Sequence, residues 1–296
     1  MTAAFPLLVV CNDSNNVIRE IILHLLITQQ MSKSNKKYLN VLKNLAIYKF
    51  LTLEQMVRLG VDNHKTNIST ETATMIRDGH ANKISKSDTS PAVYYLTRKG
   101  ATRAEHIFDI TPRYPKRKMD KMVDDMPHRL SIVDLHIEIS RFNVIQHWRE
   151  FDYVGVQRQK NLEKASKINL GRTSLVPDLI FKLNTDQGQR LYLAEVERTE
   201  GKTADKYYED KVHKYITLLS NQAVIKRKFN VSLMYTVLFV IDDRKFIEKL
   251  KKKILKDKNA EKHNKKKLVE SFLFKHFDDD VFTWTNLEGK PRLLFY

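Results

Sequence analysis

The chain has 296 residues, and its 52 Lys/Arg against 35 Asp/Glu leave a formal charge of +17. A hydrophobic fraction of 42% with 29% charged residues excludes a disordered chain, and only 8 Gly and 7 Pro exclude collagen-like or linker-rich architectures. The single cysteine, Cys11, excludes a disulfide framework and any Cys-based zinc cluster, which fits a reducing, cytoplasmic setting.

The apolar stretch AAFPLLVVC at residues 3–11 lacks a basic n-region, carries bulky valines before Cys11 and is far shorter than a membrane span of roughly 20 residues. It reads as packed structure without membrane insertion. Residues 14–30 show the spacing of an amphipathic helix, 32–37 (SKSNKK) read as a loop, and 1–44 form an N-terminal helical segment.

From residue 39 the pattern sharpens. Residues 39–50 (LNVLKNLAIYKF) have helical spacing, and Thr52-Leu-Glu-Gln55 has the form of a capping box that opens a short helix stopping near Gly60. A third helix over 66–78 ends at Gly79, ANKISKS and AVYYLT flank the turn-forming DTSP as two short strands, and 97–108 resumes a helix. The order helix–helix–helix–hairpin–helix predicts a winged helix over 45–110, in which the third helix enters the DNA major groove. Thr66, Asn67, Ser69, Thr70, Thr72, Thr74 and Arg77 on that helix are candidates to reach base edges or phosphates. Binding of a protein partner is the competing reading of this subdomain.

Residues 111–126 contain two prolines, many charges and no periodicity, and read as a linker carrying the basic knot Arg113-Tyr-Pro-Lys116-Arg117-Lys118. Beyond it, 127–296 reads as a second domain. A helix is predicted from Pro127 to about Glu150, then strands over 151–158, 174–183 and 190–197, the last two joined by NTDQGQ. A helix over 203–221 and a strand over 231–241, apolar on both faces, complete an α-β-β-β-α-β order with a mixed central sheet.

The acidic residues of those strands are the candidate chemistry. Asp178 follows Pro177 inside an apolar run, where an unpaired carboxylate is costly. Glu195 and Glu197 flank Val196, so strand alternation points both to one face. Three converging carboxylates repel each other unless a cation lies between them. An all-oxygen set suits Mg²⁺ or Mn²⁺, which can activate water and stabilise phosphodiester charge. Ion pairing with Arg190 or Arg198 is the alternative. Glu200-Gly-Lys-Thr203 mimics the end of a P-loop, but Val196 stands where the first glycine is required and Glu197 and Glu200 would face the phosphates, so nucleotide binding is rejected.

Pro177-Asp178, then Leu-Ala-Glu195-Val-Glu197-Arg198-Thr199-Glu200, then Lys211-Val-His-Lys-Tyr215 resemble the signature of the replication-relaxation family, and YYLTRKGA resembles its wing-and-helix junction. The resemblance covers about residues 45–225. It implies a winged helix joined to a domain of the PD-(D/E)XK restriction-endonuclease-like fold, and kinship with MOBC-class plasmid mobilisation relaxases. Carried across, Asp178 and Glu195 are implied metal ligands and Glu197 stands at the third motif position, where such nucleases usually have lysine. The family's glycine after the arginine is absent, since Thr199 follows Arg198. Lys211 is the implied displaced catalytic lysine, with Lys202 the weaker substitute, and His128 matches a family histidine that reads here as a capping or packing residue.

No His-hydrophobe-His triplet, H-E-x-x-H or G-x-S-x-G is present. Tyr207, Tyr208 and Tyr215 could attack a phosphate in principle but read as packing residues. Between Arg244 and Lys267, twelve Lys/Arg, among them Lys251, Lys252 and Lys253, face three acids, a run that favours double-stranded DNA or a solvated helix face. The expectation is therefore a DNA-binding, Mg²⁺- or Mn²⁺-dependent nicking protein of a plasmid or other mobile element, with a homodimer and mobilisation or replication proteins as further partners. A regulator with an inert nuclease-like domain and a restriction-type endonuclease are the alternatives.

Overall fold

The computed structural model describes residues 33–85, 90–115, 120–142, 144–149, 153–154, 163–171, 173–185, 188–231, 235–258, 265–280 and 282–294. The helix expected over 14–30, Lys116, Arg117 and Lys118 lie outside them. The chain divides into two compact units, Met1–Pro115 and Lys116–Tyr296.

In the first unit, α1 (Lys33–Tyr48), β1 (Leu51–Thr52), α2 (Leu53–Arg58), α3 (Lys65–Arg77), β2 (Ala81–Ile84), β3 (Val93–Leu96) and α4 (Arg98–Phe108) follow in order. The three strands form an antiparallel sheet in the order β1-β3-β2. This is the topology of a winged helix. The capping box is formed: the Gln55 amide N–H donates to Thr52 Oγ1 and the Thr52 N–H to Gln55 Oε1, both at 3.1 Å. Strand β1 is an addition to the sequence reading, too short for periodicity to reveal. Helix α1 begins at Lys33, so the residues read as a loop are mostly helical and no break falls at residue 44 or 45. Lysines are good helix formers, and Val41, Leu42 and Leu45 bury the inner face of that helix.

The junction YYLTRKGA has a specific geometry. Thr97 caps α4 by accepting from the Gly100 N–H at 3.2 Å, and its hydroxyl donates to the Gly79 carbonyl at 2.6 Å. A Cβ on Gly100 would stand 1.9 Å from the His80 carbonyl oxygen, so only glycine lets α4 pack this closely.

In the second unit, α5 (Asp120–Ile139) precedes a seven-stranded sheet of order β14-β13-β12-β11-β10-β9-β4. Its strands are β4 (Val144–Arg149), β9 (Leu179–Thr185), β10 (Gly188–Glu197), β11 (Thr236–Ile241), β12 (Phe272–His276), β13 (Trp284–Thr285) and β14 (Pro291–Arg292). Two small ladders, β5 (Tyr153–Val154) with β6 (Glu163–Lys164) and β7 (Ile168–Asn169) with β8 (Ser174–Leu175), lie between β4 and β9 in the chain. Strands β10, β11 and β12 are parallel, and β9 and β4 add antiparallel. The sheet is therefore mixed.

Helices cover both faces. Ile132, Leu135 and Ile139 of α5 pack against Tyr192, Ala194 and Val196 of β10. The opposite face, with Leu191, Leu193, Val237 and Phe239, is covered by α6 (Ala204–Tyr207), α7 (His213–Ser220), α8 (Gln222–Phe229), α9 (Arg244–Leu255) and α10 (Lys265–Ser271).

Three sequence expectations change. Helix α5 starts ahead of Pro127, inside the segment read as linker, and ends at Ile139. Residues 144–149 are a strand because they pair with β9, although Ile145 and Trp148 continue the helical spacing by chance. Of the strand expected over 151–158, the described residues are Tyr153–Val154, and both are strand. The helix expected over 203–221 is interrupted by a π-helical turn at Tyr208–Val212.

Candidate functional site

The site lies where β9 and β10 meet. Pro177 and Asp178 precede β9 rather than sit within a strand. The Asp178 N–H donates to the Ala194 carbonyl at 3.0 Å, and the Val196 N–H donates back to Asp178 Oδ2 at 2.9 Å. Proline fits just before this exchange because its missing N–H is not called upon there. Alternation along β10 then sends Glu195 and Glu197 to the face of Leu191 and Leu193, as the spacing predicts. Asp178, Glu195 and Glu197 are 3%, 0% and 5% exposed.

Each acid has a cationic or imidazole neighbour. The Lys211 ammonium forms an ion pair with Glu195 Oε2. Lys202 pairs with Glu197, and His128 Nε2 on α5 stands 3.5 Å from Asp178 Oδ1. Arg198, expected as a partner, instead places its guanidinium 5.7 Å from the Phe277 ring centre. The Tyr215 hydroxyl donates to Glu195 Oε1. Asp242 follows β11 and braces the loop after β10, accepting from the Thr199 N–H at 2.9 Å and the Thr199 hydroxyl at 2.8 Å.

The π turn explains how one helical segment supplies these groups. Tyr207, Lys211 and Tyr215 recur every four residues, and on a 3.6-residue helix each step drifts by about 40°. A wider turn at Tyr208–Val212 takes up the drift, so the three face the sheet together.

Burial opposes the charge on Asp178, but Lys211, His128 and the Val196 amide together hold its carboxyl well below the usual range. Burial, with the nearby Asp178 charge, pushes Glu195 up to about 8 against the pull of Lys211. Lys211 is raised, because Glu195 and Asp178 outweigh its desolvation, and so it stays an ammonium. Asp178 is thus held as a carboxylate beside the Lys211 ammonium, while burial works against the charge on Glu195. Tyr207 and Tyr215 are pushed well above the ordinary phenol value, first by burial and then by the acids. Tyr207, Tyr208 and Tyr215 are all buried, so none is poised as a nucleophile.

Among the described residues no group of three or more His, Cys, Asp or Glu has the spacing to hold a metal ion. In the structure Lys211 and Lys202 supply the positive charge beside Glu195 and Glu197. Asp178 and Glu195 alone still offer hard oxygen donors of the kind Mg²⁺ accepts, since that ion uses one or two carboxylates and completes its shell with water or phosphate.

On the first unit, Thr66, Ser69, Thr70 and Arg77 of α3 are exposed. Asn67 is half-buried and donates from Nδ2 to Asp62 Oδ1 at 2.9 Å, and Thr72 is buried, so it leaves the candidate set. Sequence reasoning missed an open cleft lined by His80, Arg98, Lys99, Thr102, Arg103 and His106, because His80 meets the five α4 residues only through the close packing at Gly100. In the C-terminal run, Lys252 is exposed and Lys253 is half-buried, 2.5 Å from Asp205. Lys251 departs from its assignment as a phosphate contact. It is buried, with its ammonium donating to Glu248 at 3.0 Å and to the Thr285 hydroxyl at 3.1 Å, because it shares the inner face of α9 with Ile247, Leu250 and Ile254. The exposed stripe is instead Lys245, Lys249, Lys252 and Lys256.

A model of the replication-relaxation family matches residues 42–232, well over half of the chain. The chain belongs to the replication-relaxation family. The match spans the stretch that carries the sequence resemblance, from the winged helix of this replication-relaxation protein through Asp178, Glu195, Lys211 and Tyr215. No curated protein matches the chain. Among solved structures it is similar to a MarR family transcriptional regulator from Silicibacter pomeroyi DSS, at 22% identity and a TM-score of 0.24, over 38% of this chain and 78% of that one. So slight a likeness leaves the winged helix resting on its own topology. No helix among the described residues is long and apolar enough to cross a membrane.

Proposed function

We propose that this replication-relaxation protein binds double-stranded DNA through its winged helix and nicks it at a Mg²⁺ or Mn²⁺ ion held by Asp178 and Glu195. The observation that carries the reading is the convergence of two buried carboxylates and the buried Lys211 ammonium at the β9–β10 junction. An acid before one strand, an acid on the next and a lysine beside them is the set a PD-(D/E)XK nuclease uses. A divalent cation bound there would supply Lewis acidity and a more acidic water. Lys211, permanently charged, offsets charge that builds on a phosphate. The exposed side chains of α3 supply base and phosphate contacts, and the Lys245–Lys249–Lys252–Lys256 stripe supplies phosphate contacts. Plasmid mobilisation, a homodimer and partner replication proteins belong to the same proposal.

The second reading, a DNA-binding regulator with an inert nuclease-like unit, is favoured by one observation: Glu197 occupies the usual lysine position and is itself neutralised by Lys202. Supercoiled plasmid incubated with the protein and Mn²⁺, Mg²⁺ or EDTA separates the two. Open circles with metal and none with EDTA support nicking, linear product means double-strand cleavage, and intact supercoils under all conditions support the regulator.

A further inference from the structure

The open cleft on the first unit, formed by His80 and one face of α4, belongs to none of the DNA contacts named so far. Its cations are fixed in place by their neighbours. The Tyr38 hydroxyl and His80 Nδ1 are hydrogen-bonded at 2.8 Å, and the Arg103 guanidinium stands 5.1 Å from the centre of the Tyr38 ring. Lys99 donates to the Asp78 carbonyl at 2.9 Å. Burial, then the charges of Arg103 and Lys99, hold the His80 imidazole below its ordinary value, so it adds little charge of its own. Arg98, exposed at the start of α4, completes a group of three cations. Among the described residues no carboxylate pairs with any of the three. Asp78, an acid whose charge reaches His80, is paired with Arg77 at 3.5 Å.

Like charges gathered without a counter-charge repel each other, and an anion among them relieves that cost. Guanidinium groups favour phosphate, whose oxygens accept their paired N–H donors. The cleft is open to solvent, whereas sites for small molecules bury most of their ligand. It therefore suits phosphates carried on a chain that stays otherwise solvated. We propose that this cleft holds phosphates of the DNA backbone through Arg98 and Arg103, with Lys99 adding charge. His80 follows Arg77, the last residue of α3, by only three positions, so the cleft continues from the C-terminal end of that helix. Phosphates gripped there would flank the groove that the exposed α3 side chains enter. The proposal rests on the DNA-binding reading given above and adds to it a second phosphate-binding surface on the same unit.

The test is fluorescence anisotropy of a labelled duplex with the full chain at several salt concentrations, for the wild type, Arg98→Gln/Arg103→Gln and Lys226→Gln/Arg227→Gln. Lys226 and Arg227 are exposed on α8, so the last variant removes the same charge from outside every proposed contact. The cleft variant is expected to bind all duplex sequences more weakly and to flatten the log–log salt slope by about 1.8, about 0.9 for each phosphate released. The α8 variant is expected to keep the wild-type slope. A wild-type slope in the cleft variant overturns the proposal and leaves α3 and α9 as the DNA surface. An α8 variant that flattens the slope equally also overturns it, because the loss then follows net charge. Should the double variant melt early because Arg103 has left Tyr38, Arg98→Gln alone carries the test, with an expected shift of about 0.9. Calorimetric titration of inorganic phosphate and of AMP into the wild type is expected to show no saturable heat. Saturable binding of either that the cleft variant loses, with its duplex slope intact, makes the cleft a small-anion site and overturns the proposal. A wild type that binds no duplex removes the DNA-binding reading and this proposal with it.

Discussion

Glu195 and Asp178 are adjacent acids in opposite protonation regimes, and that asymmetry makes the site testable by pH. A metal must displace the proton from Glu195, so Mn²⁺ affinity should strengthen as pH rises and level off above about 8. Calorimetry in two buffers of different ionisation enthalpy should show proton release at pH 7. The same group sets a stability trend. Its folded value lies above the ordinary 4.5, so between about 4.5 and about 8 the folded state holds a proton that the unfolded state has lost. Its contribution to metal-free stability therefore falls as pH rises through that window. Glu195→Gln, which can still accept from Tyr215, should flatten this slope in denaturant unfolding measured at several pH values. Lys211→Met should destabilise the metal-free protein by about 3–5 kcal/mol at neutral pH, because it leaves Asp178 buried without its main counter-charge. Mn²⁺ should restore part of that loss. If denaturant melts show no loss, Lys211 is not the cation that holds the acids together.

At the scale of elements, the wing junction and α9 carry the clearest expectations. Gly100→Ala must move the His80 backbone or the start of α4, so it should cost about 1–3 kcal/mol or more, read as a lower melting temperature by circular dichroism. Along α9, neutralising Lys245, Lys249, Lys252 and Lys256 should weaken binding to all DNA sequences alike. It should also flatten the salt dependence by about 0.9 in log–log slope for each phosphate that is no longer neutralised. Lys251→Met should leave that slope unchanged and alter stability instead, since its ammonium is committed inside the second unit. An unchanged slope in the four-lysine variant would remove α9 from the DNA surface.

These elements also show what the sequence could reveal. Thr52–Gln55, the β9–β10 hairpin and the shared face of Glu195 and Glu197 are local patterns, so spacing alone exposed them. Lys211 was reachable because a motif links it to Tyr215. His128 was matched to a family histidine, but its contact with Asp178 was not legible, since that depends on how α5 lies across the sheet and periodicity carries no information about it. The π turn is equally silent in the sequence. Lys251 and Lys252 look identical in a lysine run and differ only in helical phase, which Ile247, Leu250 and Ile254 fix once α9 has a sheet to pack against. Strand β4 misled for a related reason: Ile145 and Trp148 fit a helix, and pairing with β9 decided against it.

For the whole molecule, the central claim is that Asp178 and Glu195 form a divalent-cation site in a DNA-binding replication-relaxation protein. The chain's two tryptophans, Trp148 and Trp284, both belong to the second unit, so tryptophan fluorescence reports the unit that carries the acids. The deciding measurement is fluorescence-detected thermal melting with EDTA and with Mn²⁺, for the wild type, Asp178→Asn and Glu195→Gln. The account predicts that Mn²⁺ at about a hundred times its dissociation constant stabilises the wild type by about 2.7 kcal/mol, raising its melting temperature, while neither variant responds. A wild-type transition that saturating Mn²⁺ and Mg²⁺ leave in place, with both variants melting well below it, would contradict the account and make the acids structural partners of Lys211 and His128.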